Sequence, residues 1–164
     1  MSKFPSRIIC YGSPVLKKKA AQVQKPFAEI RKLIAHMKRV MTENRGVGLA
    51  APQIGISSRV IVVQIPKKIL GFINPKIVRK SAEKSVGEEG CLSVPGIFIP
   101  IKRSVAVEVE CETSEGERVR IRAKGLVARI FQHEIDHIEG KLIVDHLGLR
   151  NRWKLRKILK QIRQ

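Results

Sequence analysis

The sequence predicts an α+β fold: mostly antiparallel β-sheets packed around a central helix carrying a His-Glu-x-x-His run, with an N-terminal helix and a C-terminal basic helix. Three observations predict it. Apolar residues recur at helical spacing over 26–44, 125–139 and 147–164. β-branched runs bounded by turn residues fill the interval between the first two. Those runs follow one another instead of alternating with helices, the pattern of antiparallel pairing and not of strand–helix–strand units.

In chain order, residues 7–16 hold a short apolar stretch before Gly12 and Pro14, which predicts a strand or turn. Over 26–44, Ile30, Leu33, Ile34, Met37, Val40 and Met41 form a buried helical stripe. His36 falls off that stripe among basic residues and is expected at the surface. Gly46 and Gly48 end the helical pattern. Residues 59–65 (RVIVVQI) predict a strand, and about 70–79 a second extended region. Residues 81–100, rich in Ser, Gly, Glu and Pro, predict a loop with brief extended pieces. Val105, Val107, Val109 and Cys111 alternate, then Val119, Ile121 and Ala123, with a TSEGE turn between, so a hairpin is expected. Cys111 fits the apolar alternation and is expected in the core. Over 125–139, Val127, Ile130, Phe131, Ile135 and Ile138 define an inner stripe that Gly140 can terminate. Leu155, Ile158, Leu159 and Ile162 define the stripe of the last helix.

A chain of 164 residues, 43% of them apolar, predicts one globular domain with a sufficient core of its own. Three cysteines, Cys10, Cys91 and Cys111, make a poor disulfide framework and predict a reducing compartment. No signal-peptide pattern and no membrane-length apolar run are visible, so a soluble protein of the cytoplasm or an organelle matrix is expected. The net charge of +19 predicts a polyanionic neighbour.

The strongest chemical signal is His133-Glu134-Ile135-Asp136-His137. Histidines four apart on a helix project from one face, so both imidazoles can reach one metal ion, and the glutamate between them can address a water there. Chance can place two histidines on a helix surface. Here, however, the flanking residues follow a buried pattern, and ionisable groups on an inner helix are costly unless paired or ligated. A tetrahedral site needs another protein ligand, for which Cys91, Cys10, His146, Glu139 and other carboxylates are candidates. Cys91 is the best of these on chemistry, because EGCLS at 89–93 is a polar, glycine-bearing segment where a thiol has no packing role. Such a site keeps an open position at which a divalent cation brings the pKa of water to about 7, and Glu134 can move the proton. The chemistry expected is hydrolysis of an amide or related bond. The segment 46–53, GVGLAAPQ, lacks the spacing of a phosphate-binding loop. Its glycines allow close approach of an extended substrate, and Gln53 can donate to a developing oxyanion.

GVGLAAPQ at 46–53, EGCLS at 89–93 and QHEIDHIEG at 132–140, in that order in a short chain, resemble the three motifs of the peptide deformylase family. IICYGSPVLKKKA also looks like the family's N-terminal region, and the resemblance covers about residues 7–147. It implies a metal-dependent hydrolase that removes the N-formyl group from the N-terminal methionine of new polypeptides and releases formate. It implies Cys91, His133 and His137 as metal ligands, Glu134 as general acid/base, and Gln53 with the Leu92 N–H as oxyanion donors. Val47, Gly48 and Glu89 would hold the substrate backbone, and Val47, Ile130 or Phe131, and His133 would line the methionine pocket. One divalent ion per chain is implied, Fe2+ in the cell, with Zn2+, Ni2+ or Co2+ able to replace it. Residues 1–147 would be the catalytic domain and 148–164 a basic helix continuous with it.

Phe98 stands where the family often carries Arg, which makes that substrate contact apolar. Arg129, one turn before His133, is expected to snorkel outward on its aliphatic stem. Arg103 is a candidate partner for Glu89. The tail from Leu147 contains no acidic residue, while Arg150, Arg152, Lys154, Arg156, Lys157, Lys160 and Arg163 surround a narrow apolar stripe. Some family members use a C-terminal helix on the large ribosomal subunit, so rRNA is the expected partner, with no membrane partner and a monomeric chain. A general HExxH metallopeptidase fits less well, because the extra ligand lies upstream and is a cysteine. A non-catalytic RNA-binding protein with a structural metal leaves Glu134 without a purpose.

Overall fold

The computed structural model describes residues 4–24 and 27–162. Pro26 at the predicted start of the first helix and Arg163 in the basic tail lie outside the described residues.

Helix α1 spans Phe27–Glu43. Strands β1 (Gly48–Ala50), β2 (Val60–Ile65) and β3 (Lys68–Lys80) follow, then β4 (Lys84–Cys91) and β5 (Val94–Ser104), then β6 (Ala106–Glu112) and β7 (Arg118–Lys124). Helix α2 is Gly125–Ile138 and α3 is Leu149–Ile162. The ladders are antiparallel and form a five-stranded sheet in the order β1-β2-β3-β6-β7 and a separate β4–β5 ribbon.

The position of β2 explains its unbroken apolar run. Successive side chains on a strand point to opposite faces. Val60 and Val62 pack with Leu33, Ile34, Met37, Val40 and Met41 of α1. Ile61 and Val63 pack with Phe131, Ile135 and Ile138 of α2. Both faces of β2 are therefore buried, and VIVV reads as continuous apolar sequence. A Cβ at Gly71 would lie 2.3 Å from Ile34 Cγ2, so the missing side chain lets α1 approach the sheet. A third cluster joins Ile97, Ile99 and Ile101 of β5 to Leu142, Ile143 and Val144 and to Leu155, Leu159 and Ile162 of α3.

The structure corrects three expectations about the scaffold. Residues 81–100 are not a loop; most of them lie in β4 and β5, which pair from Lys84↔Ser104 to Cys91↔Val94. The alternation of Ile97, Ile99 and Ile101 is present on β5, with Pro95 and Pro100 on its exposed side, where a missing N–H or a rigid ring is tolerated. His36 is buried, not a surface residue: its Nε2 lies 2.8 Å from the Pro5 carbonyl oxygen, and its Nδ1 lies 3.0 Å from Arg39 Nη2. The N-terminal segment folds over α1 and covers it, a tertiary event that helical spacing does not report. Ile158 is 47% exposed, which narrows the α3 stripe to Leu155, Leu159 and Ile162. Over 7–16 the turn is present: Ile9 N–H donates to the Gln53 carbonyl, Tyr11 N–H to that of Ser93, and a short 3-10 helix covers Pro14–Lys17.

Candidate metal centre

Two elements converge on one point. Helix α2 presents His133 and His137 one turn apart. The end of β4, after a register shift between Glu89 and Cys91, turns back into β5 and brings Cys91 to them. Cys91 Sγ lies 3.2 Å from His137 Nε2, and His137 Nε2 lies 3.2 Å from His133 Nε2. The three ligand atoms all lie within 4.8 Å of one another. Tetrahedral bonds of ordinary length to two imidazoles and a thiolate separate the donors by about 3.3–3.6 Å. The spacing and the donor set of one soft sulfur and two imidazoles both fit a first-row divalent ion. The other sequence candidates are engaged elsewhere. His146 Nε2 lies 2.8 Å from Asp136 Oδ2, Glu139 pairs with Arg59 and Lys19, and the Cys10 thiol points to the Ile8 carbonyl.

Burial disfavours a charged thiol at Cys91, but His137 and His133 overcome that effect and bring its pKa down to about 5. Burial likewise disfavours an imidazolium at His133, yet its hydrogen bonds to Cys91 and Glu89 hold its pKa well above the ordinary 6.5. These shifts favour a thiolate at Cys91 beside a protonated His133, so metal uptake near neutral pH is expected to displace protons.

Glu134 is the buried carboxylate beside this centre. Burial pushes its pKa up to about 7, the range that suits proton transfer near neutrality. A Cβ at Gly48 would lie 2.3 Å from Glu134 Oε1, so the bare backbone of β1 makes room for the carboxylate. Oε2 of Glu134 is buried and has no hydrogen-bond partner among the described residues. Such an atom is costly in a purely structural site and expected where water or substrate must be addressed. Gln53 is held in one orientation: its Oε1 accepts from Ala50 N–H at 2.8 Å. Its amide nitrogen consequently points toward the centre, 3.6 Å from Cys91 Sγ and 3.3 Å from Ser93 Oγ.

Glu89 organises the other flank. It accepts two hydrogen bonds from Arg103 at 3.0 Å, one from Arg129 at 2.8 Å, and lies 3.0 Å from His133 Nδ1. Burial alone would raise its pKa, but His133 and Arg103 hold it well below the usual carboxylate range. Arg103 also reaches Asp136 at 2.6 Å. Arg129 does not snorkel outward. Its guanidinium turns in and donates to the carbonyls of Ile101 at 2.9 Å and Ser85 at 3.0 Å. The reason lies across the sheet: Gly87 has no side chain where the guanidinium sits, since a Cβ there would be 3.1 Å from Arg129 Cζ. Sequence reasoning missed this clamp and the Ser93 hydroxyl. The Arg129–Glu89 pair crosses between α2 and β4, and only a recognised β4–β5 ribbon would have suggested it.

A cavity of about 580 Å3 opens onto the centre. Val47, Gly48, Gln53, Glu89, Cys91, Leu92, Ile130, His133 and Glu134 all line it, so the structure gathers these sequence-selected residues at one surface. Phe131 does not reach it and lies in the core against Phe72. His137 is 1% exposed and does not line the cavity. Phe98 is 67% exposed and lines the same cavity, with its ring against Gly90.

Residues 5–153 match the sequence profile of the family described as polypeptide deformylase. The chain is 44% identical over 156 residues to the peptide deformylase of Thermotoga maritima, covering 95% of each chain. Among solved structures it is similar to the peptide deformylase of Thermus thermophilus, with a TM-score of 0.89 and 37% identity over 95% of this chain and 96% of that one. It is also similar to a Synechococcus elongatus peptide deformylase in complex with actinonin, with a TM-score of 0.88, 36% identity, and coverage of 96% and 90%.

Proposed function

Because this chain belongs to the peptide deformylase family, we propose that it hydrolyses the formamide at the N-terminal methionine of newly made polypeptides, and that Glu134 carries the proton transfers. The observation that carries the reading is the buried, unpartnered Glu134 Oε2 beside the Cys91–His133–His137 cluster at a cavity wall. Cys91, His133 and His137 would hold one divalent ion, Fe2+ in the cell, with Zn2+, Ni2+ or Co2+ as substitutes. That ion supplies Lewis acidity and makes water acidic enough to attack at neutral pH.

The chain's own residues do the rest. Val47, Gly48 and Glu89, which line the same cavity, would offer backbone groups to an extended substrate. Val47, Ile130 and His133 give the cavity the apolar wall that a methionine side chain needs. Water adds to the formyl carbon as Glu134 takes its proton. Gln53 Nε2 and the Leu92 N–H stabilise the oxygen that gains charge. Glu134 then returns the proton to the α-amine, the C–N bond breaks, and formate leaves.

Residues 1–147 would form the catalytic domain of a monomeric, cytoplasmic or organellar enzyme. Residues 148–164 would form a basic helix that docks on rRNA of the large ribosomal subunit. No helix among the described residues is long and apolar enough to cross a membrane. The test offers formyl-Met peptides and unformylated peptides of the same sequence to the iron-loaded protein. Release of formate with the peptide backbone intact supports the reading. Cleavage of internal peptide bonds would instead make it a general metallopeptidase. Competition by actinonin, which the Synechococcus relative binds, is expected at the same site.

A further inference from the structure

Trp153, the only tryptophan in the chain, stands 61% exposed on α3. Its neighbours on the helix surface at spacings of three and four are Leu149, Arg150, Arg156 and Lys157. The Arg156 guanidinium carbon lies 4.0 Å from the indole centroid, a cation–π stack. Among the described residues, no ion pair holds Arg150, Lys154, Arg156, Lys157 or Lys160. Arg152, in contrast, is tied to Asp145 at 3.3 Å.

The indole is not there for the core. The opposite side of α3 already packs Leu155, Leu159 and Ile162 against β5 and residues 142–144. Insertion into a lipid surface needs a broad apolar face; the packed stripe of α3 is occupied by the protein itself, and of its exposed apolar residues only Leu149 adjoins Trp153, with Ile158 on a different side of the helix. Around the indole the outward surface offers Leu149 and cations without an ion-pair partner among the described residues, with no carboxylate on the helix. A purely phosphate-directed surface needs the cations but not the indole. A single-stranded nucleic acid uses both, because every base has a π-face and every linkage a charge.

We infer that α3 binds unpaired RNA by stacking a nucleobase on Trp153, while Arg150, Arg156 and Lys157 engage the adjoining phosphates. This deepens, and rests on, the proposed docking of α3 on rRNA.

The lone tryptophan is also the reporter. The full chain is titrated with a short oligouridylate and with an abasic oligonucleotide of equal length and charge. Trp153 emission is followed in parallel with the anisotropy of labelled RNA. The expected result is quenching by oligouridylate and little by the abasic strand. Trp153→Leu is expected to weaken oligouridylate binding roughly ten- to hundred-fold, with Trp153→Phe retaining most of it. Equal binding of the abasic strand, or unchanged affinity in Trp153→Leu, would overturn the inference. So would a blue shift on phosphatidylserine vesicles without a response to RNA. Formate release by Trp153→Leu stays at the wild-type level. RNA binding through Trp153 by a chain that releases no formate supports this inference and counts against the catalytic proposal alone.

Discussion

Glu134 and its neighbour Gly48 set the tolerance of the centre at the level of single atoms. A methyl group at position 48 would meet Glu134 Oε1 at 2.3 Å, so Gly48→Ala must move either the carboxylate or β1. Misplacing a general base by about 1 Å costs roughly a hundred-fold in rate. Gly48→Ala is therefore expected to lower kcat/KM for a formyl-Met peptide by about that factor while metal content stays at one ion per chain. Loss of metal together with activity would show a collapsed site instead. The cysteine and the first histidine make a second prediction. Cys91 titrates at about 5 and His133 well above 6.5. Binding an ion at neutral pH requires the thiolate already present and the imidazole without its proton. Uptake should thus release about one proton at pH 7. Affinity should rise with pH until the His133 proton is gone, and fall more steeply once pH drops below about 5. Calorimetric titration of Zn2+ into the metal-free protein, in buffers of different ionisation enthalpy, reads the proton count directly. Metal binding with no proton released would contradict the thiolate–imidazolium pair.

Between elements, the Arg103–Glu89–Arg129 network joins the β4–β5 ribbon to α2. Arg103 is 7% exposed, and its removal takes away the two-pronged partner of buried Glu89 and one of the two partners of Asp136, leaving Glu89 to Arg129 and His133 and Asp136 to His146. Breaking a buried pair on one side costs about 3–5 kcal/mol, so Arg103→Met is expected to lower the urea midpoint markedly at neutral pH. Glu89 and Asp136 both titrate below their ordinary values of 4.5 and 3.8. A carboxylate with a depressed folded-state pKa stabilises fully above its unfolded value and loses that contribution as pH falls through the folded one. Wild-type stability should therefore decline as pH drops from about 5 toward 2, with a shallower decline in Arg103→Met. A second joint, at Asp145, holds α3: Asp145 accepts from Lys17 and from the Leu142 N–H, and pairs with Arg152. Asp145→Ala is expected to cost roughly 1 kcal/mol, or about 3 °C in Tm. An unchanged Tm would show that the apolar stripe of α3 suffices.

The same joints explain what was legible in the sequence. Helix α2 could be placed from spacing because its inner stripe is apolar, and the two histidines followed from the same period. The β6–β7 hairpin showed itself through alternation on one buried face, and Cys111 is buried on it as expected. The β4–β5 ribbon did not, because part of its buried side is the ion pair of Glu89 and Arg103, which an apolar pattern does not count. Arg129 and His36 were misplaced for a related reason. Each is covered by a segment distant in sequence, His36 fully and Arg129 in part, and their partners include backbone carbonyls that no residue type announces.

On the scale of the whole molecule, charge is unevenly spent. On the β6–β7 hairpin Glu108 pairs with Arg122 and Glu110 with Arg120, so that face is nearly balanced. The excess behind the net charge of +19 is left largely elsewhere, including an α3 with no carboxylate. Ribosome association, measured by cosedimentation, should fall steeply with salt and be lost on deleting residues 149–164. Association that survives the deletion would place the contact outside α3. The chemistry is tested most directly by formate release from a formyl-Met peptide by wild type and Glu134→Gln, both loaded anaerobically with Fe2+ and assayed for bound iron. Equal iron in both is expected, with formate from the wild type and a loss of at least about a hundred-fold in the variant. Equal formate from both proteins would remove Glu134 from the chemistry. Full iron with no formate from either would contradict the deformylase assignment itself.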